Sequence, residues 1–156
     1  MDKQEIFDTL HCKSLYVTGS SVNPYIKNPR DTEYYAVFEN IDDLNNAPKI
    51  HNVHKITKDY KYPRVFLWSY LFHYLNKSND YLGEKFEFEE ADLTQLTKLA
   101  SHTKKIADAL INKKIMYHVA MIDAINEYGY DDIPEEVVQR INDLHDLKIN
   151  YNEQEN

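Results

Sequence analysis

The segment Thr32–Phe38, reading Thr-Glu-Tyr-Tyr-Ala-Val-Phe, constrains the fold more than any other part of the chain. It is β-branched and aromatic along its length, a composition that suits a pleated, half-buried surface. It predicts a strand with Tyr34, Ala36 and Phe38 turned to a core and Asp31 and Glu33 on the opposite face. Lys13–Thr18, where Leu15 and Val17 alternate with Tyr16, predicts a neighbouring strand, and Ile50–Ile56 a third. From Asp92 the period changes. Leu93, Leu96, Ala100 and Ala107 begin a helical pattern that runs on to Gly129, as one long helix or two stacked ones. Asp131 to Glu136, with Pro134 among its acids, predicts a further helix start. Strands first and helices afterwards make the chain α+β: a small mixed sheet with flanking helices, followed by a C-terminal helical bundle.

The connecting segments fill in this outline. Asp2–Leu10 predicts a short leading helix, and Asn40–Pro48 a turn or single helical turn. Val65–Leu75 is apolar on almost every side, which predicts a central buried helix with Trp68 and Phe72 in the core; base stacking by one of its tyrosines is the alternative. Gly83 predicts a turn. A length of 156 residues suits one domain, with residues 1–62 as the sheet-bearing core and 63–156 as a helical part packed on it.

Charge narrows the partners. Residues 1–78 hold 10 Lys/Arg against 9 Asp/Glu, whereas 79–156 hold 8 against 17. The acidic half repels a nucleic-acid backbone, so a nucleotide, a small substrate or a basic protein partner fits better. The single Cys12 excludes a disulfide within the chain and fits a reducing cytosol. No apolar run approaches the ~18 residues of a membrane span, and the first residues lack a signal pattern, so a cytoplasmic protein is expected.

The chemistry is expected between the first two strands. Gly19 lets the backbone bend and approach a ligand closely, and Ser20 adds a hydroxyl beside the turn amides, an arrangement that suits phosphate oxygens. Asp31 and Glu33, two apart on a strand, point the same way and are placed to share a divalent cation. Lys27 and Arg30 either balance phosphate charge or are solvated loop charges. His51 and His54 lie on opposite faces of a strand and cannot both bind one metal. Together these features suit a magnesium-bound nucleotide.

Val17-Thr18-Gly19-Ser20, a ten-residue spacer and Asp31-Thr32-Glu33-Tyr34 resemble the signature of the DNA polymerase beta-like nucleotidyltransferase superfamily. The resemblance covers roughly residues 10 to 60 and extends to small members encoded by large bacteriophages. It implies a nucleotidyltransferase-like sheet and transfer of a nucleoside monophosphate from NTP to an acceptor. Mg²⁺ (or Mn²⁺) would be held by Asp31 and Glu33, and the triphosphate by Gly19, Ser20, Ser21, Lys27 and Arg30. It also implies a third carboxylate on a neighbouring strand. Ile50–Ile56 contains no acid, which leaves Asp59 or Glu39 as candidates, or a single histidine, His51 or His54, standing in that place near the nucleotide. The alternative is a nucleotidyltransferase-like fold that no longer catalyses and binds a nucleotide or a protein, such as a host factor, through its acidic helices.

Overall fold

The computed structural model describes residues 1–19, 31–59, 61–75, 78–88, 90–127 and 135–153. Four strands, β1 (Ser14–Thr18), β2 (Glu33–Phe38), β3 (Val53–Thr57) and β4 (Tyr81–Gly83), form one sheet in the order β3-β2-β1-β4. β1 runs antiparallel to both β2 and β4, whereas β2 and β3 are parallel, so the sheet is mixed and the fold is α+β. The chain divides into two compact units, Met1–Asp92 and Leu93–Asn156. The boundary expected after residue 62 therefore falls inside the first unit, whose sheet draws in β4.

Both faces of the sheet are buried. On one face α1 (Lys3–Leu10) and α2 (Ile41–Asn46) set Ile6, Leu10, Ile41 and Leu44 against Leu15, Ala36 and Phe38. On the other, α3 (Pro63–Leu75) contributes Phe72 to a layer with Tyr16, Tyr35, Val37 and Ile56. Ala36 and Phe38 are core as the alternation predicts. Tyr35 and Val37, on the opposite face, are buried too, because the all-round apolar α3 needs a surface to cover.

Side-chain bonds fasten these helices locally. Asp2 caps α1 by accepting from the Glu5 amide at 2.9 Å, and Asn40 caps α2 by accepting from the Asp43 amide at 2.9 Å. Lys55 of β3 donates to the carbonyls of Leu44 and Ala47, satisfying the C-terminal end of α2. Ser69 of α3 donates to the Val65 carbonyl and accepts from the Thr57 amide, which pins α3 to the end of β3.

The expected helical stretch after Asp92 is two helices, α4 (Glu90–His102) and α5 (Lys104–Glu127). They part at Thr103, whose amide reaches back three residues to the Ala100 carbonyl while its hydroxyl bonds the Leu99 carbonyl. α6 (Glu135–Glu153) runs antiparallel to α5: Tyr151 donates to Asp108, and Lys148 donates to Asn112 at 3.0 Å. Ala107, Ile111, Ile115 and Ile125 of α5, with Val137 and Leu144 of α6, are buried. Gly129 and the expected helix start at Asp131 to Pro134 lie outside the described residues. Among the described residues, no helix is long and apolar enough to cross a membrane.

Candidate functional site

The site grows out of strand register. Thr18, the last residue of β1, pairs with Glu33, the first of β2, so the residue after Thr18 turns beside the Glu33 side chain. That residue is Gly19, at φ +77, a left-handed backbone that glycine adopts without strain. A Cβ at Gly19 would lie 2.5 Å from Glu33 Oε2: the carboxylate fills the space a side chain would need. The expected meeting of the glycine turn with an acid is present for Glu33.

A third strand adds an imidazole. β3 places His54 opposite Tyr35, two residues beyond Glu33 in β2, with the Tyr34 amide donating to the Asn52 carbonyl at 2.9 Å. His54 Nε2 stands 4.0 Å from Glu33 Oε2, and its ring packs on Phe72 at 4.5 Å. Both side chains remain open to solvent, Glu33 at 43% and His54 at 36%. His51 sits in the turn ahead of β3, apart from the strand that carries His54.

The other expected ligands lie elsewhere. Asp31 is exposed and stands in a bend ahead of β2, not within the strand as expected, because β1 ends at the partner of Glu33 and the ladder goes no further. Asp59 does not join Glu33. Parallel pairing runs from Tyr34↔Val53 to Phe38↔Thr57, so a residue following β3 lies beside the end of β2, about 16 Å along the strands from its start. There Asp59 accepts from the amides of Ile41 and Lys61, bracing the start of α2. Glu39 is at that far end as well, 3.0 Å from Lys13 Nζ. Ser20, Ser21, Lys27 and Arg30 lie outside the described residues, and the connection Ser20 to Arg30 contains no acid. Among the described residues, no three His, Cys, Asp or Glu groups cluster as a metal set.

Beneath the site lies a ring layer that the sequence reading did not single out. Tyr16 and Tyr35 stack at 4.8 Å across β1 and β2, and the Tyr35 hydroxyl meets Nδ1 of buried His73 at 2.7 Å. The Phe86 amide donates to the Tyr16 hydroxyl. Burial holds both phenols above their usual pKa, so they stay neutral and serve as hydrogen-bonding struts. A histidine inside an otherwise apolar helix was the available signal. Cys12 is buried, which pushes its thiol up to about 11 and leaves little thiolate.

The structure thus brings together one strand carboxylate and a neighbouring imidazole, and leaves Asp31 exposed two residues ahead of the strand. Mg²⁺ at a nucleotide usually takes one or two carboxylates with phosphates and water, and Glu33 is the carboxylate placed at this edge. Compared with family models, curated proteins and solved structures, the chain matches none.

Proposed function

We propose that the chain is a nucleotidyltransferase-like protein that binds a metal-bound NTP at the Gly19–Glu33 edge and does not transfer nucleotide. The observation that carries this reading is the side-chain-free Gly19 turn lying directly against the Glu33 carboxylate. A cation held by the Glu33 carboxylate beside this turn would neutralise the phosphate oxygens it brings to the edge. The cation supplies charge neutralisation when bound; Glu33 orients it.

The non-catalytic form is favoured over a full transferase by the position of Asp59. Activation of an acceptor hydroxyl by a second metal would need a further carboxylate beside Glu33, and the acid expected to supply it braces α2 at the other end of the sheet. The role left for the protein is recognition of a nucleotide, with a basic protein as partner. The acidic excess available to such a partner is densest in residues 123–136, which hold six acids and no base.

Thermal-shift titration of the full chain with each of the four NTPs, with and without Mg²⁺, tests the reading. Cation-dependent stabilisation is expected, lost in Glu33→Gln and reduced in Gly19→Ala, with no pyrophosphate released. Stabilisation by no nucleotide under either condition overturns it. Pyrophosphate release that depends on Glu33 restores the transferase.

A further inference from the structure

We infer that the chain pairs with a second copy of itself through the outward face of α5, the two α5 helices lying antiparallel about a twofold axis at Met116. α5 belongs to the helical unit, so this contact is independent of the Gly19–Glu33 edge.

The buried positions Ala107, Ile111, Ile115 and Ile125 mark the face of α5 turned inward. A solvated opposite face would be polar. Instead, exposed residues recur there at alternating steps of three and four, Ile106, Ala109, Lys113, Met116, Ala120 and Asp123, which is the spacing of a seam between two helices. Four of the six are apolar. Met116, at the middle of the stripe, is 64% exposed, and Tyr117 beside it is exposed as well. The small side chains of Ala109 and Ala120 let a second helix approach closely, and Met116 is flexible enough to pack against its own symmetry mate.

Charge names the occupant. Residues 104–115 carry Lys104, Lys105, Lys113 and Lys114 against Asp108, whereas 116–127 carry Asp123 and Glu127 and no Lys or Arg. This order opposes the helix dipole, which favours acids in the first turn and bases in the last; α5 has neither. Asp123 and Glu127, both exposed and one turn apart, also repel each other. A parallel copy would set like ends together. An antiparallel copy centred on Met116 sets Lys105 opposite the partner's Glu127 and Lys113 within a turn of the partner's Asp123, while each helix N-terminus meets a C-terminus. The face is thus complementary to itself in one orientation, as a twofold contact requires. At 24 residues α5 is about 36 Å long, and one helix pair of that length makes a small interface, so the dimer is reversible.

Sedimentation velocity of the full chain between about 2 and about 200 µM tests this. A sedimentation coefficient that rises with concentration is expected. Met116→Glu places like charges on the axis and is expected to weaken association about tenfold or more. Lys105→Glu and Glu127→Lys are each expected to weaken it about fivefold, and the double variant to recover it, because the swap restores attraction between copies and these two residues are too far apart to meet within one helix. Unchanged helical circular dichroism in the variants reports that the bundle is intact. Orientation is read by oxidative cross-linking: Met116→Cys is expected to link two copies, and Ala109→Cys, about 21 Å from its own mate in the antiparallel pair, is not. A sedimentation coefficient that does not change with concentration overturns the inference and leaves the face to another occupant, such as a basic protein. Association undiminished in Met116→Glu overturns it by placing the contact on a different surface, and linking of Ala109→Cys as readily as Met116→Cys overturns the antiparallel pairing.

Discussion

Each of the two units buries a histidine, and the two side chains are handled in opposite ways. In the sheet unit His73 is 3% exposed, and its Nδ1 meets the Tyr35 hydroxyl within a shell of rings from Tyr16, Tyr35, Phe86 and Phe88. In the helical unit His118 is fully buried; its Nδ1–H donates to the Lys114 carbonyl one turn back, and Nε2 has no partner among the described residues. Strands supply partners from distant parts of the chain at one level, as Tyr35 does for His73, although Ser14 Oγ of β1 is itself buried without a partner among the described residues. The helical pair gives buried Tyr151 a partner in Asp108 across the two helices, but gives His118 only the backbone of its own helix. The candidate site lies in the unit whose buried imidazole is bonded across elements, which is the kind of bracing that holding a charge at fixed geometry requires.

The largest effect expected in this comparison comes from the backbone of the sheet unit. Gly83 closes β4 at φ +86, and a Cβ there would collide with the Lys13 carbonyl oxygen and press on the Phe7 ring. Left-handed strain and overpacking together make Gly83→Ala cost roughly 3 kcal/mol or more. Urea unfolding followed by fluorescence of Trp68, the single tryptophan, reads this unit. A loss under about 1 kcal/mol would mean that β4 is not fixed to β1 and α1 in this way.

A smaller effect tests the bracing. Tyr35→Phe keeps the ring stack and removes the hydroxyl, leaving His73 Nδ1 without its 2.7 Å partner. The expected cost is about 1–3 kcal/mol by the same Trp68 readout. A neutral result would make the two units alike in tolerating an unmatched imidazole nitrogen, and the contrast would disappear.

The way each unit was legible in the sequence follows the same division. β1, β2 and α3 announce themselves through Leu15/Val17 alternation, the aromatic run after Thr32 and the apolar stretch from Val65. These are local patterns that burial enforces. β4 is three residues long and carries no alternation; Tyr81–Gly83 is a strand because β1 has a free edge to pair with it. Asp59 looked like a ligand because it follows the third strand closely in sequence. The direction of that strand decides its position, and parallel pairing with β2 is a tertiary fact that no local pattern carries. Glu33 and Gly19 were readable as partners because antiparallel neighbours joined through one connection bring their facing ends together. One of His51 and His54 was readable as a stand-in for a missing acid, and only the register shows that it is His54 that lies beside Glu33. In the helical unit the apolar period predicted helix, and the break at Thr103, made by side-chain and amide bonds back to Leu99 and Ala100, was left open between one helix and two.

The mildest and most specific expectation concerns pH. Burial holds the folded pKa of His118 below the usual 6.5, and the positive charges of Arg140 on α6 and Lys114 on α5 act in the same direction against the bond to the Lys114 carbonyl. Above 6.5 the ring is neutral in folded and unfolded chains alike, and its contribution does not vary. As pH falls through 6.5 the unfolded chain takes up a proton that the folded chain refuses, so stability is lost progressively until the depressed folded value is passed. Protonation would also place an N–H on Nε2, a buried donor with nothing to receive it. Thermal unfolding followed by helical circular dichroism from about pH 8 to about pH 5 should therefore show a midpoint that is level at first and then declines. His118→Leu removes the proton site and the unmatched nitrogen together, so its profile is expected to be flatter over the same window and no lower at neutral pH. A decline of equal slope in His118→Leu would assign the acid sensitivity to other groups. The sheet unit's buried histidine would then no longer be distinguished from its counterpart by the bonds it makes.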